Sequence, residues 1–293
     1  MSVTKLSRNP ATEAGTMRRK RIRVTPTRVV LGLLLAALAV VVVYPLLWMA
    51  ISGFKTNAEL FGDAWGLPGE WRFSNYVQAW DYGVVHYILN SAIVTVGSII
   101  LVTLVSSFAA FALVQVRIPL SQPILLLIMG GLMLSETVAL VPLFRIMRSL
   151  ELYNTLPGVI ILYTAFRIPF TTFLIRSYMI DLPTELRDAA IVDGASLWQM
   201  FWRVTMPLCY PILISAAILQ ALFSWNEFVF ALVFIKDDAL KTMPVGLMAL
   251  QSKLTTNWPV VFAGLTISAI PMVLAFLFGQ RHFVKGITEG LGK

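Results

Sequence analysis

Long uncharged runs dominate the chain and predict helices that cross a membrane. A bilayer-spanning helix needs about 20 mostly apolar residues at a rise of about 1.5 Å each. The runs without a charged residue are Val29–Ile51, Tyr87–Val116, Val204–Asn226 and Leu254–Gln280. Two more runs each contain a single charge, and they are Ile118–Phe144 and Leu152–Ile175. The pattern predicts an all-α membrane protein with six transmembrane helices, the fifth extending to about residue 235.

Composition supports this class, and the basic residues predict the orientation. The chain is 58% hydrophobic and 13% charged, whereas a soluble domain carries about 25% charged residues. Lys and Arg are enriched in cytoplasmic loops. An N-terminus inside the cell gives the inner segments fifteen of them and the outer segments seven. We therefore expect residues 1–28 and 281–293 to be cytoplasmic tails, with 1–28 a basic anchor near lipid rather than a nucleic-acid arm.

Motifs for catalysis and metal binding are absent from the sequence. A single cysteine, Cys209, and two histidines, His86 and His282, cannot form a metal-ligand cluster of Cys and His. The sequence contains no P-loop, no H-E-x-x-H and no G-x-S-x-G motif. We therefore predict no catalytic residue and no metal site. If transport is driven by ATP, a partner must hydrolyse it.

The longest predicted cytoplasmic excursion, residues 181–207, begins with signals for a short helix. Pro183 suits the first turn of a helix, and Glu185 and Asp188 lie near its positive end. Gly194 fits a left-handed position that terminates the helix. A DNA-binding helix-turn-helix is disfavoured because the acidic residues here would repel phosphate. A connector that contacts a cytoplasmic partner and a capped loop at the membrane surface both remain open.

A second helix is predicted directly after this glycine. Ser196 and Gln199, three residues apart, form a capping-box pattern. The predicted apolar face of this helix consists of Leu197, Phe201 and Val204. Pro207 and Pro211 then mark the entry to the fifth span.

This segment resembles the EAA loop of binding-protein-dependent ABC importers. The pattern appears as Asp188-Ala189-Ala190, Gly194 and Met206-Pro207, with Asp for the usual Glu and Met for the usual Leu. The chain as a whole resembles the maltose-type carbohydrate permease family, specifically its second, six-span subunit. Further stretches that carry this resemblance are Tyr44-Pro45, Gly53-Phe54-Lys55-Thr56, Asn75-Tyr76, Asn90-Ser91, Pro142-Leu143, Leu152-Tyr153-Asn154-Thr155, Ile168-Pro169-Phe170, Trp225-Asn226-Glu227-Phe228 and Phe283-Val284-Lys285-Gly286.

The resemblance implies a type I ABC importer permease fold with a cytoplasmic coupling helix. It implies four kinds of partner: a homologous permease, two ATPase subunits, an extracytoplasmic solute-binding protein and a sugar. ATP and Mg would bind to the ATPase subunits, and no cofactor is expected in this chain. The residues expected to couple to the ATPase are Glu185, Asp188, Ala189, Ala190, Gly194 and Pro207. The two alanines would permit close packing in the ATPase groove, and Asp188 would accept hydrogen bonds there.

Polar residues within the predicted spans are candidates for the translocation pathway. Ionisable groups in a membrane are costly and indicate function by default. Glu136 and Arg167 lie at predicted depths of about 12 and about 18 Å and form a candidate ion pair, with either a functional or a packing role. Trp225, Asn226 and Glu227 offer the stacking and hydrogen-bonding chemistry that sugars need, although interfacial aromatics are common.

Two questions remain open from the sequence. A proton-coupled secondary transporter that uses Glu136 or Glu227 is the main alternative, but it would leave the capped cytoplasmic loop unexplained. The first outer loop, residues 55–86, is rich in aromatic residues, among them Phe61, Trp65 and Trp71. These residues belong either to the headgroup belt or to a surface for the solute-binding protein. The sequence does not identify the sugar.

Overall fold

Helices account for every regular element that the structure describes. The computed structural model covers residues 26–116, 118–253 and 257–291, and the predicted all-α class is confirmed. The α-helices are α1 (Pro26–Ser52), α2 (Asn57–Gly62), α3 (Ser74–Ala79), α4 (Val85–Gln115), α5 (Ser121–Gly130), α6 (Glu136–Ser149), α7 (Leu156–Ile180), α8 (Thr184–Val192), α9 (Leu197–Gln199), α10 (Met206–Leu208), α11 (Tyr210–Asn226), α12 (Val229–Phe234), α13 (Met243–Lys253) and α14 (Trp258–Leu291). Two π-helical turns, Trp80–Val84 and Met200–Thr205, join α3 to α4 and α9 to α10.

Each predicted span corresponds to an apolar helix or to a bent pair of helices. Three stretches are long and apolar enough to cross a membrane: Val29–Ser52, Ser74–Gln115 and Leu156–Ile180. Two pairs would each add one span, namely Ser121–Met133 with Glu136–Ser149, bent by 100°, and Leu197–Leu208 with Tyr210–Asn226, bent by 76°. A shorter apolar helix covers Trp258–Leu274. The crossing of all six through a bilayer stays a prediction.

The third and fifth apolar stretches are not continuous helices. Leu134 and Ser135 have extended backbone angles, which separate α5 and a 3-10 turn from α6. Glu227 is extended as well and separates α11 from α12. The predicted spans 118–144 and 204–235 therefore each contain more than one helix. An uncharged run of residues is compatible with lipid whether its helix is continuous or interrupted. The absence of charge therefore does not reveal these breaks, which are changes in backbone conformation.

The predicted tails lie largely at or beyond the limits of the described chain. Residues 1–25, Arg117 and residues 292–293 lie outside it, so the structure does not test the basic N-terminal anchor. At the other end, α14 continues through Leu291, well into the predicted tail 281–293. The last span and the described part of the tail, through Leu291, thus form one continuous helix.

The core is built around α4, which packs against α7 and α11. Its buried side chains include Ser91, Ser98 and Ser106, each at most 1% exposed. Small side chains allow helices to approach closely, as is common among helices in membranes. The Ser98 hydroxyl also lies 2.7 Å from the hydroxyl of Ser224 on α11.

Three asparagine side chains hold the connections at one end of the helices. Each of them makes two hydrogen bonds to backbone groups of a distant segment. The pairs are Asn75 with the carbonyls of Gly53 and Lys55, Asn90 with the carbonyls of Ala239 and Lys241, and Asn154 with the N–H groups of Lys236 and Asp237. All six distances are between 2.8 and 3.0 Å. These asparagines, quoted above for the family resemblance, have a structural role.

Candidate coupling loop and pathway residues

The first loop helix, α8, ends in the turn that its sequence predicts. Gly194 has a φ of 76°, in the left-handed region. Its N–H donates to the carbonyl of Ile191 at 3.0 Å, and the N–H of Ala195 donates to the carbonyl of Ala190 at 2.9 Å. This pair of bonds defines a Schellman motif, which satisfies carbonyls left free at a helix end. The predicted left-handed glycine is confirmed.

The start of α8 differs slightly from the prediction. Pro183 is the residue before the helix, which begins at Thr184. Glu185 lies in the first turn, where the positive end of the helix dipole favours an acid. Asp188 is exposed and accepts two hydrogen bonds from the Arg187 guanidinium, at 3.0 and 3.1 Å. Its carboxylate is thus held on the helix surface.

The alanine pair of the loop is divided between two environments. Ala190 is 9% exposed and packs against the rest of the chain, whereas Ala189 is exposed. The expectation that both alanines enter a partner's groove therefore needs correction, because one alanine is already in contact with its own protein. Beside Ala189, Ile191 is 57% exposed and Val192 is 86% exposed. The end of α8 thus presents an apolar surface.

The predicted capping box opens the second loop helix. The Ser196 hydroxyl accepts from the Gln199 N–H at 3.3 Å, and the Gln199 side chain accepts from the Ser196 N–H at 2.9 Å. The apolar face was predicted less well. Phe201 is 1% exposed, but Leu197 is 53% exposed. The π-helical turn changes the angular position of residues relative to a regular helix, so the spacing of 3.6 residues per turn fails here.

A cluster of aromatic rings ties this helix to the end of α4. The Phe201 ring is stacked on Phe108 with centroids 4.4 Å apart, and it meets Phe111 edge-on at 5.2 Å. Trp198 and Trp202 complete the cluster, with centroids 6.4 and 4.9 Å from that of Phe201. Aromatic pairs at such separations add about 0.5–1.5 kcal/mol each. A displacement of the loop would therefore be transmitted to α4 through these ring contacts.

Pro207 lies at the junction between the loop and α11. It is exposed and belongs to the short helix α10. The chain bends by 76° directly after this helix, around the fully buried Cys209. Pro207 therefore marks a change of direction at the entry to α11.

The candidate ion pair of Glu136 and Arg167 is not formed. Among the described residues, no salt bridge within 4.0 Å joins them. The Arg167 guanidinium lies instead over the Phe223 ring, 3.3 Å from its centroid, in a cation–π contact. Its Nε is buried and has no hydrogen-bond partner within the described ranges. Glu136 starts α6 just after the break at Ser135, and its charge still acts on Arg167 at a distance beyond that of a salt bridge.

Glu227 serves as a cap for the next helix. Its side chain is 6% exposed and accepts from the N–H groups of Phe230 and Ala231 at 2.7 and 3.2 Å. These groups belong to the first turn of α12, where N–H groups lack partners within the helix. The Tyr163 hydroxyl lies near the same carboxylate and interacts with it electrostatically.

Trp225 and Asn226 line a cleft in the structure. The cleft has a volume of about 440 Å³, and its walls include Met243, Leu247 and Met272. The Asn226 amide donates to the carbonyl of Leu222 at 2.7 Å, while its remaining surface is exposed. Thus the structure separates the predicted pathway residues: Trp225 and Asn226 border open space, and Glu227 is used internally.

Sequence reasoning missed two buried polar arrangements. Lys55 is 1% exposed, and its ammonium donates to the carbonyls of Asp63 and Ala64, both at 3.0 Å. Gln220, 2% exposed, donates to the hydroxyl of Ser224 at 3.0 Å. The Lys55 contact depends on the course of the loop, whereas Gln220 and Ser224 lie one turn apart on α11, and an apolar run does not reveal that both are buried.

The fold and the loop define a permease subunit embedded in a membrane. Residues 106–289 match the family described as "Binding-protein-dependent transport system inner membrane component". The chain belongs to this family, and the resemblance seen in the EAA loop is confirmed. A permease subunit of this kind is not itself an enzyme.

Individual relatives give the comparison more detail. The chain is 44% identical over 251 residues to the probable ABC transporter permease protein YurM of Bacillus subtilis (strain 168), covering 86% of this chain and 84% of that protein. It is 33% identical over 260 residues to the diacetylchitobiose uptake system permease protein NgcG of Streptomyces coelicolor, covering 88% and 86%. A solved bacterial ABC transporter involved in import of the acidic polysaccharide alginate has the same fold, with a TM-score of 0.77 at 24% identity over 87% of this chain and 95% of that one.

Proposed function

We propose that this chain forms half of the translocation pathway of an ABC importer for a carbohydrate, such as an oligosaccharide, a disaccharide or a related solute. The Streptomyces relative is named for the uptake of diacetylchitobiose, which supports this substrate class. The cleft beside Trp225 and Asn226 offers an aromatic ring and an amide, the groups that sugars commonly contact. The other half of the translocation pathway would come from a homologous permease.

The exposed end of α8 is the observation that supports coupling to an ATPase. It presents Ala189, Ile191 and Val192 beside a rigid Schellman turn, and the aromatic cluster behind it reaches α4. Large exposed apolar surfaces mark sites of interaction. In this proposal two ATPase subunits bind ATP and Mg, and α8 transmits their closure to the spans. The loop is then cytoplasmic, and both termini are cytoplasmic with it.

Purification and reconstitution test this proposal. The chain should co-purify with a second permease and with a P-loop ATPase. In proteoliposomes, uptake of a labelled sugar should require ATP and an added solute-binding protein, and should persist when an ionophore abolishes the proton gradient. Uptake that needs the proton gradient and proceeds without ATP would instead identify a secondary transporter.

A further inference from the structure

A second cleft opens between α4 and α11, beside the coupling loop. It has a volume of about 360 Å³. Along α4 it runs from Ile99 to Ser107, a length of about 12 Å. Leu213 and Ala217 of α11 form the opposite wall, and Trp202 of the loop lies at one end. No charged residue lines this cleft, which we name the α4–α11 cleft.

The α4 wall of the cleft belongs to an apolar face that runs along the helix. Its residues, each between 37% and 61% exposed, are Leu89, Ile93, Val96, Ile100 and Leu104. Helices that pack together in membranes favour small side chains at the contact. On α4 such side chains are Ser98 and Ser106, which contact α11 and α7. The large branched side chains of the exposed face are therefore suited to lipid rather than to another helix.

Two hydroxyl groups within the cleft have no partner among the described residues. They belong to Thr103 and Ser107, both of which line the cleft. Ser107 is only 1% exposed. A buried polar group without a hydrogen bond is costly in apolar surroundings. The ester carbonyl oxygens of a phospholipid are acceptors that would satisfy both hydroxyls, whereas a plain hydrocarbon would not.

The loop end of the cleft has the features of a membrane interface. Trp198 is 62% exposed, Trp202 43% and Tyr210 62%, and such aromatic residues are enriched at the headgroup level. Arg203, next to Trp202, is exposed and is the sole charged residue of 194–226. It forms none of the salt bridges found among the described residues. An arginine in this position attracts an anionic headgroup.

The first half of the same loop has the opposite character. Residues 181–193 contain four acidic residues and one arginine. The Arg187 guanidinium is already paired with the carboxylate of Asp188. This half would repel an anionic lipid, so attraction is confined to the segment beside the cleft.

We infer that the α4–α11 cleft binds one anionic phospholipid, with an acyl chain between the two helices and the phosphate group at Arg203. This inference goes beyond the proposed function, because the ligand belongs to the membrane and is not transported. The site also adjoins the aromatic cluster of the loop, since Trp202 contacts Phe201 with ring centroids 4.9 Å apart.

Photo-labelling locates the lipid in the wild-type protein. The whole importer is reconstituted in vesicles of phosphatidylcholine and phosphatidylglycerol, with a trace of phosphatidylglycerol that carries a diazirine in its acyl chain. After irradiation, mass spectrometry should find more lipid on Ile100, Leu213 and Ala217 than on Ile93, which lies on the same face of α4 outside the cleft. Equal labelling along this face would indicate ordinary surrounding lipid and overturn the inference. No labelling of the cleft, as expected if the partner permease covers it, would overturn it as well.

A substitution that fills the cleft tests the site itself. Ala217→Phe should abolish the labelling of Ile100 and Leu213, because the ring would occupy the space between α4 and α11. Ile93→Phe adds the same ring outside the cleft and should leave this labelling unchanged. Persistent labelling in Ala217→Phe would refute a site between the helices.

The choice of headgroup is tested by removal of one charge. Arg203→Gln should lower the preference of the cleft for phosphatidylglycerol over phosphatidylcholine, each carrying the diazirine, about fivefold. Arg187→Gln removes an arginine from the first half of the loop and should keep the wild-type preference. An unchanged preference in Arg203→Gln would refute the anionic headgroup. Labelling requires no transport, so it is informative even if the proposed function fails.

Discussion

Replacement of Gly194 tests whether the turn after α8 carries the coupling. A Cβ built at Gly194 has no heavy atom within 4 Å in the described part of the chain, apart from neighbouring residues. A new side chain therefore meets no steric obstacle. The cost of a substitution comes from the φ of 76°, which L-residues other than Asn adopt at a cost of about 1–2 kcal/mol.

The expected effects follow from this cost. About 1.4 kcal/mol changes an equilibrium tenfold, so Gly194→Ala should reduce the population of the native turn about tenfold or less. The β-branched side chain of Gly194→Val should reduce it about 30-fold, since such residues are true outliers at positive φ. Gly194→Asn should be milder than Ala, because Asn tolerates the left-handed region.

The measurements are sugar uptake and binding-protein-stimulated ATP hydrolysis in proteoliposomes. Membrane levels of the three variants should equal the wild type, because the turn is exposed and local. Activity should fall in the order Gly, Asn, Ala, Val. An order that follows side-chain size, with Ala above Asn, would refute the backbone explanation. Full uptake and stimulation by Gly194→Val would show that this turn does not carry the coupling.

Three further predictions concern topology and the pathway residues. Glu70→Cys should react with an impermeant maleimide added to intact cells, whereas Asp193→Cys should not; the reverse would invert the proposed orientation. Glu227→Ala should destabilise α12 by about 1–2 kcal/mol through loss of a cap, seen as a lower midpoint of thermal unfolding, whereas Glu227→Gln should retain uptake, which a proton-coupled mechanism forbids. Arg167→Gln and Phe223→Leu should show a coupling of about 0.5–2 kcal/mol in a double-mutant cycle of stability; additive effects would exclude the cation–π contact.

Local sequence signals predicted the loop well. The Schellman turn at Gly194 and the capping box of Ser196 and Gln199 involve residues within five positions of each other. Such motifs need only a short stretch of backbone, so their residue types are sufficient to identify them. Apolar runs similarly located the helices, because the compatibility of a segment with lipid depends on its own residues and not on contacts with other segments.

Contacts between segments could not be predicted in this way. Arg167 was expected to form an ion pair with Glu136, but its guanidinium lies over the Phe223 ring instead. Either an ion pair or a cation–π contact can stabilise a buried cation. Glu227 became a cap because the helix breaks after Asn226, in a run without any breaking residue. Leu197 is exposed because a π-helical turn follows it. Each outcome depends on packing between elements that no single run of sequence records.

The three asparagines that bind backbone groups of distant segments, which we call the asparagine clamps, affect which residues of the subunit can change without altering its fold. Asn75, Asn90 and Asn154 bind only backbone carbonyl or N–H groups of their target segments. Since every amino acid supplies the same carbonyl, and every one except proline the same N–H, the clamped segments can exchange side chains while keeping their shape. An exposed residue such as Lys236 can therefore be exchanged to suit a new partner without redesign of the helices that hold its segment.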